Sequence, residues 1–86
     1  MLKNVCAVFD KKTGLWDSPF TVRHVGEATR EWGIITQDRS TKFGKNPEDF
    51  DLYEIGTYDD ETGRFENLSK QHHLASGVSN VPITNP

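Results

Sequence analysis

The alternation of hydrophobic and polar positions predicts a β-strand at residues 3–10. Val5, Ala7 and Phe9 point to one side of this strand. The positions between them are a cysteine and a valine, so the other side is apolar as well. Because both sides are apolar, we expect a central or interface strand rather than an exposed edge.

A helical pattern follows at residues 25–37. Val25, Ala28, Trp32 and Ile35 recur at spacings of three, four and three residues, which places them on one stripe of a helix. The positions between them are mostly polar or charged. The pattern therefore predicts an amphipathic helix that packs one face against a sheet.

In the rest of the chain, the hydrophobic patterns extend over fewer residues, and turn residues are more frequent. We predict a turn at 11–14, an extended connection at 15–22, a loop at 39–49, a strand at 50–58, a turn at 59–63, a strand at 64–68 and a polar tail at 69–86. In the strand at 50–58, Tyr53 and Ile55 are predicted on one face, and Phe50, Leu52 and Tyr58 on the other.

The order strand, helix, strand, strand predicts a small α+β domain at residues 1–68. A strand–helix–strand unit within one sheet favours a parallel, right-handed crossover, and the last two strands would form an antiparallel hairpin. The expected fold is a mixed three-stranded sheet with one helix on one face. The other face would stay uncovered, so we expect a homodimer that joins through the first strand or this sheet face.

Composition supports a small core and a reducing environment. The chain has 86 residues, of which 34% are hydrophobic, and a single cysteine, Cys6. An intrachain disulfide is therefore impossible, and Cys6 is expected to be a small buried hydrophobe. We find no signal peptide and no apolar segment near the roughly 20 residues of a membrane span. We expect a cytoplasmic protein.

The two halves of the chain differ in charge. Residues 1–45 carry eight Lys or Arg against five Asp or Glu, and residues 46–86 carry two against eight. The halves are therefore +3 and −6, which gives the net charge of −3. The total disfavours generic phosphate binding, but a local basic patch remains possible in the first half.

No pattern for catalysis or metal binding is present. His72 and His73 are adjacent in a polar segment, and His24 stands alone, without cysteines or carboxylates at zinc-like spacing. No nucleophile motif or phosphate-binding glycine loop occurs. We therefore expect no enzyme activity, no cofactor and no metal.

The segment from Arg39 to Lys45 favours contact with single-stranded nucleic acid. Such binding combines basic groups along the backbone with aromatic rings for base stacking. The predicted contact residues are Lys11, Lys12, Arg23, Arg30, Arg39, Lys42, Phe43 and Lys45. In the alternative interpretation, Phe43 is tucked under a solvated loop. Trp16 and Phe20 fit either core cover or a stacking surface.

Several short pieces together carry a family resemblance. They are Ala7-Val8-Phe9-Asp10, Pro19-Phe20, Gly26 with Ala28, Arg30 and Trp32, Lys45-x-Pro47-Glu48-Asp49-Phe50, Leu52-Tyr53, Ile55-Gly56, Tyr58-Asp59 and Thr62-Gly63. In their order and spacing, residues 4–68 resemble the small nonstructural protein of gokushoviruses, which are single-stranded DNA phages of the Microviridae.

The resemblance implies a role in the phage genome cycle. Such proteins are described as DNA-binding and linked to single-stranded genome synthesis, or to the switch from replication to packaging. The implied partners are single-stranded DNA and phage or host replication proteins, in the cytoplasm of the bacterial host. The alternative is a protein that never touches DNA and contacts phage or host proteins through its acidic half, residues 48–66.

Overall fold

An antiparallel sheet of five strands, with one main helix on one of its faces, forms the fold. The computed structural model describes residues 1–78. The elements are β1 (Leu2–Asp10), β2 (Leu15–Trp16), β3 (Phe20–Val22), α1 (Val25–Ile35), α2 (Lys42–Lys45), a 3-10 turn (Pro47–Asp49), β4 (Phe50–Asp59) and β5 (Arg64–Ser76). The strand order is β2–β1–β4–β5, and β3 also pairs with β1. The α+β class and the single main helix are confirmed.

The predicted parallel crossover is wrong, because β1 and β4 are antiparallel. Residues 15–22, predicted as a connection, contain β2 and β3, which both run back along β1. Because β3 ends opposite Asn4, the chain is back near the start of β1 when α1 begins. The sheet is therefore antiparallel throughout rather than mixed. Since β1 is paired on both of its edges, it is the central strand and cannot offer an edge to a second copy.

The last strand is longer than predicted. β5 extends to Ser76 rather than ending at Leu68, and Ala75 pairs with Leu52. His72 of β5 pairs with Glu54, and Asn67 pairs with Gly56. Residues 68–71 of β5 therefore lie opposite a single residue of β4, Ile55. The first part of the predicted tail thus belongs to the sheet, and residues 79–86 lie outside the described part of the chain.

A β-bulge in β4 changes the predicted faces of that strand. Cys6 pairs with Glu54 and Val5 pairs with Gly56, so Ile55 is an extra residue opposite β1. An extra residue reverses the alternation of side chains beyond it. As a result Tyr58 lies on the same face as Tyr53, not on the opposite face as predicted.

The helix α1 begins as the sequence predicts and ends two residues earlier, at Ile35. At its start, the Glu27 carboxylate accepts hydrogen bonds from the backbone N–H groups of Arg23 (2.9 Å) and His24 (3.3 Å). A carboxylate is favourable there because the first N–H groups of a helix have no partner within it. At its end, the Thr36 hydroxyl donates to the Trp32 carbonyl oxygen at 2.8 Å.

The core lies between α1 and the sheet. Its buried members are Cys6, Val8, Ala28, Trp32, Phe50, Leu52 and Ala75. The predicted stripe on α1 is confirmed through Ala28 and Trp32, which are almost fully buried. Trp32 also joins two distant segments, because its indole N–H donates to the Ser76 carbonyl oxygen at 3.2 Å.

Cys6 is completely buried, as the sequence predicts. Burial, together with the nearby charge of Glu54, raises the pKa of the Cys6 thiol to about 11. A thiol with this pKa stays protonated at neutral pH, and only the thiolate is a strong nucleophile. Cys6 therefore contributes to packing.

Candidate nucleic-acid interface

One face of the sheet carries no helix among residues 1–78. Both helices lie on the other face, where Trp32 of α1 and Phe43 of α2 pack against Phe50 and the core. We call the face without helices the open face. By register, its residues are Lys3, Val5, Ala7, Phe9, Trp16, Thr21, Asp51, Tyr53, Gly56, Tyr58, Phe65, Asn67, His73 and Ser76.

Four rings form a continuous row across the open face, which we call the aromatic row. It consists of Trp16 on β2, Phe9 on β1, Tyr53 on β4 and His73 on β5. Ring centroids are 4.9 Å apart for Phe9 and Trp16, 5.2 Å for Trp16 and Tyr53, and 5.2 Å for Tyr53 and His73. Trp16 is 40% exposed. The contacts therefore run from Phe9 to Trp16, Tyr53 and His73, and the row collects partly exposed rings from four strands.

A carboxylate beside the row has a lysine and a histidine as neighbours. The Asp51 carboxylate is nearly buried, with Lys11 Nζ at 3.7 Å and His73 Nε2 at 3.5 Å. Its Oδ1 atom accepts no hydrogen bond within the described part of the chain. Since Lys11 is exposed, the positive charge beside this carboxylate faces solvent.

Most acidic residues of the strands lie on the helix side of the sheet rather than on the open face. By register, Glu54, Asp59 and Glu66 point to the helix side of the sheet, together with Asp10. Within the described strands, Asp51 is the one carboxylate on the open face. The net charge of −3 is therefore a poor guide to the charge of this surface.

Comparison with protein families identifies a phage family. A family model described as Phage ORF5 protein matches residues 3–80, which is most of the chain. The chain belongs to the Phage ORF5 protein family. Comparison with curated proteins and with solved structures found no match.

The binding segment predicted from the sequence lies on the helix side of this ORF5-family protein. The Phe43 ring is half-buried, with centroid distances of 5.4 Å to Trp32 and 5.0 Å to Phe50. This matches the alternative interpretation, in which Phe43 is tucked under the loop. Lys42 Nζ lies 3.0 Å from the Asp17 carboxylate and 5.3 Å from the Phe43 ring centroid. The loop predicted at 39–49 contains α2 and the 3-10 turn.

The other predicted contact residues are spread around the molecule. Lys11 and Lys12 lie in the β1–β2 turn, beside the aromatic row. Arg23 and Arg30 are exposed at the start and middle of α1, where Glu27 and Glu31 share the same shallow depression. The last two predicted contact residues, Arg39 and Lys45, are exposed in the segment that follows α1. The structure does not bring the eight residues together into one patch.

An apolar cleft of about 440 Å³ lies on the helix side. Its walls include Phe20, Trp32 and Phe43, and Asp17, Glu31 and Lys42 stand among its lining residues. Two carboxylates against one ammonium group do not favour a phosphate backbone there. This cleft is therefore a weaker candidate for nucleic acid than the open face.

Searches of the described residues of the ORF5-family protein found neither a metal-ligand cluster nor a membrane-spanning helix. Residues 1–78 contain no group of three or more His, Cys, Asp or Glu side chains placed to hold a metal ion. Neither of its described helices has the length and apolar character that crossing a membrane requires.

Sequence reasoning missed most of the aromatic row. The alternation in β1 puts Phe9 on the correct strand face, and Trp16 is a stacking candidate from the sequence, but nothing in the chain connects Tyr53 and His73 with them. The available signal was the alternation in β1 and β4, which puts Phe9 and Tyr53 on predictable faces. The pairing of β1 with β2 and of β4 with β5 was needed to align all four rings.

Proposed function

We propose that this phage protein binds single-stranded DNA on its open face. The observation that carries the proposal is the aromatic row, in which the rings of Phe9, Trp16, Tyr53 and His73 contact one another in tilted or edge-on pairs and each ring is at least partly exposed. Bases stack on such rings with little sequence preference, and each stacked base contributes about 1–3 kcal/mol.

Charge supports the same surface. Lys11 and Lys12 stand in the turn next to Trp16, where they would contact phosphates. Asp51, the acidic group of this face, is nearly buried and already has Lys11 and His73 beside it. Phosphate repulsion by the other carboxylates is reduced because they lie on the helix side or in the turns.

The biological setting that we propose comes from the family. The chain is a bacteriophage ORF5-family protein, and its sequence resembles gokushovirus nonstructural proteins. We infer a role in single-stranded genome synthesis, or in the switch from replication to packaging, in the cytoplasm of the bacterial host. Phage or host replication proteins would be its further partners, and the protein itself would act without a catalytic step as a homodimer that joins through a surface other than the open face.

The test is fluorescence anisotropy of a labelled single-stranded oligonucleotide and of its duplex, over a salt series. Trp16→Ala removes a ring of the row, and Phe20→Ala is the matched control. Both residues lie in short strands paired with β1, and their exposed fractions are 40% and 39%, but they are on opposite faces. Loss of one stacked base predicts an affinity about fivefold to 150-fold lower for Trp16→Ala, and Phe20→Ala should bind like the wild type.

A second pair of variants separates the open face from the loop. Lys11→Gln with Lys12→Gln should weaken binding and reduce the salt dependence, by about 0.7 in the log–log slope for each phosphate that is no longer neutralised. Lys42→Glu with Lys45→Glu should change little. If the loop pair abolishes binding and the Trp16 variant does not, the open face is the wrong surface. Absence of binding at low salt would refute the proposed function and favour a protein partner for the acidic half.

A further inference from the structure

We propose that the open face has a second stacking subsite, formed by Tyr58 and Phe65, and that one DNA strand occupies this subsite and the aromatic row together. The inference rests on the proposed function, and it adds a length requirement to it. The bulge at Ile55 is its structural origin. Tyr53 and Tyr58 are five residues apart, and regular alternation would place them on opposite faces, but the extra residue brings both to the open face.

The second subsite offers an unusually exposed ring. The centroids of Tyr58 and Phe65 are 4.7 Å apart, and their planes are tilted by 38°. Phe65 is 66% exposed, although it sits in a strand paired with β4. Because Phe65 lies on the open face and is not buried in the core, its ring surface is accessible to a binding partner. Lys3 pairs directly with Tyr58, and its Nζ atom lies 3.8 Å from the Asp60 carboxylate in the following turn.

The distance between the two clusters suits a short strand of DNA. Tyr53 pairs with Ala7 and Tyr58 pairs with Lys3, so the clusters are separated by four residues of β1. At about 3.3 Å per residue this is roughly 13 Å. A stacked strand advances about 3.4 Å per nucleotide, so roughly four nucleotides bridge the gap.

The positions between the clusters differ in size and exposure. Val5, Gly56 and Asn67 stand in register across β1, β4 and β5 at this level. Gly56 adds no side chain, and Val5 is almost fully buried. Asn67 is exposed and carries an amide that can donate to a base or a phosphate. A strand that spans both clusters would need about six nucleotides or more, within the range of roughly 4–16 known for small single-strand binding folds.

The experiment measures the affinities of oligothymidylates of 3, 6, 9 and 12 nucleotides for four forms of the protein. The series includes lengths below and above the gap of about four nucleotides between the clusters. The forms are the wild type, Trp16→Ala, Phe65→Ala and the control Leu2→Ala. Leu2 is 64% exposed at the same end of the sheet as Phe65, but it points to the helix side. Circular dichroism verifies that each variant is folded.

The expected result is a length-dependent loss of affinity. Phe65→Ala should lower affinity for the 12-mer at least fivefold and leave the 3-mer unchanged, because a stacked 3-mer spans only about 7 Å and does not reach from one cluster to the other. Trp16→Ala should lower affinity for every length, and Leu2→Ala for none. If the wild type binds the 12-mer and Phe65→Ala binds it equally well, the second subsite is refuted while the proposed function stands. If the wild type binds no oligonucleotide at low salt, both proposals fail.

Discussion

Replacing Trp32 by phenylalanine tests how far the fold depends on one buried indole. Trp32 is 3% exposed, and it contacts Phe43 with a centroid distance of 5.4 Å. Its N–H group donates to the Ser76 carbonyl oxygen at 3.2 Å, which ties α1 to the end of β5. Losing that hydrogen bond costs about 1 kcal/mol, and the space left by the smaller ring costs about 1–2 kcal/mol more.

We therefore expect Trp32→Phe to lower the free energy of unfolding by about 2–3 kcal/mol, and for a chain of this size the Tm by about 10–20 °C. Urea unfolding followed by far-UV circular dichroism gives the value, with Trp16→Phe as the exposed control. The m-value should not change if the same surface is exposed on unfolding. A Trp32→Phe variant within about 0.5 kcal/mol of the wild type would refute the reasoning that this indole joins helix and strand.

Three further predictions concern Cys6, Gly56 and self-association. Folding raises the Cys6 thiol pKa from 9.0 to about 11. The folded state therefore keeps this proton to a higher pH than the unfolded state, and the stabilising contribution of the protonated thiol is lost as pH rises from 9 towards 11. In urea titrations, the stability difference between wild type and Cys6→Ala should shrink between pH 8 and pH 10. Gly56→Ala should cost about 1–3 kcal/mol in urea unfolding, because a Cβ there would collide with the Glu66 carbonyl oxygen across the hairpin, and wild-type stability would contradict that close approach. Light scattering should give a mass near twice 9.8 kDa, and a concentration-independent 9.8 kDa species would rule out the homodimer.

The turn residues and the amphipathic helix were readable from the sequence because their causes are local. Gly63 has φ of +74°, as the predicted turn requires. The stripe of α1 depends only on the spacing of Val25, Ala28, Trp32 and Ile35. The faces of β1 followed from simple alternation, and Phe9 lies where that alternation put it.

The candidate site was harder to predict because its parts come from four strands. Arg39, Lys42 and Lys45 are close in sequence, and that closeness suggested a site. In the folded chain Lys42 is held by Asp17, and Phe43 is packed against the core. Contacts of this kind join residues far apart in the sequence, and local spacing carries no record of them.

Periodicity and composition were enough to establish the class of the fold, the position of the main helix, the central character of β1 and the burial of Cys6. Each of these depends on side chains within a few residues of one another. The antiparallel direction of the sheet, in contrast, became known from the folded chain, because the short strands β2 and β3 reverse the chain through pairing with β1. The same holds for the bulge at Ile55, which turns Tyr58 to the open face. Strand pairing and bulges are set by contacts between distant segments, so the aromatic surface exists only once the sheet has formed.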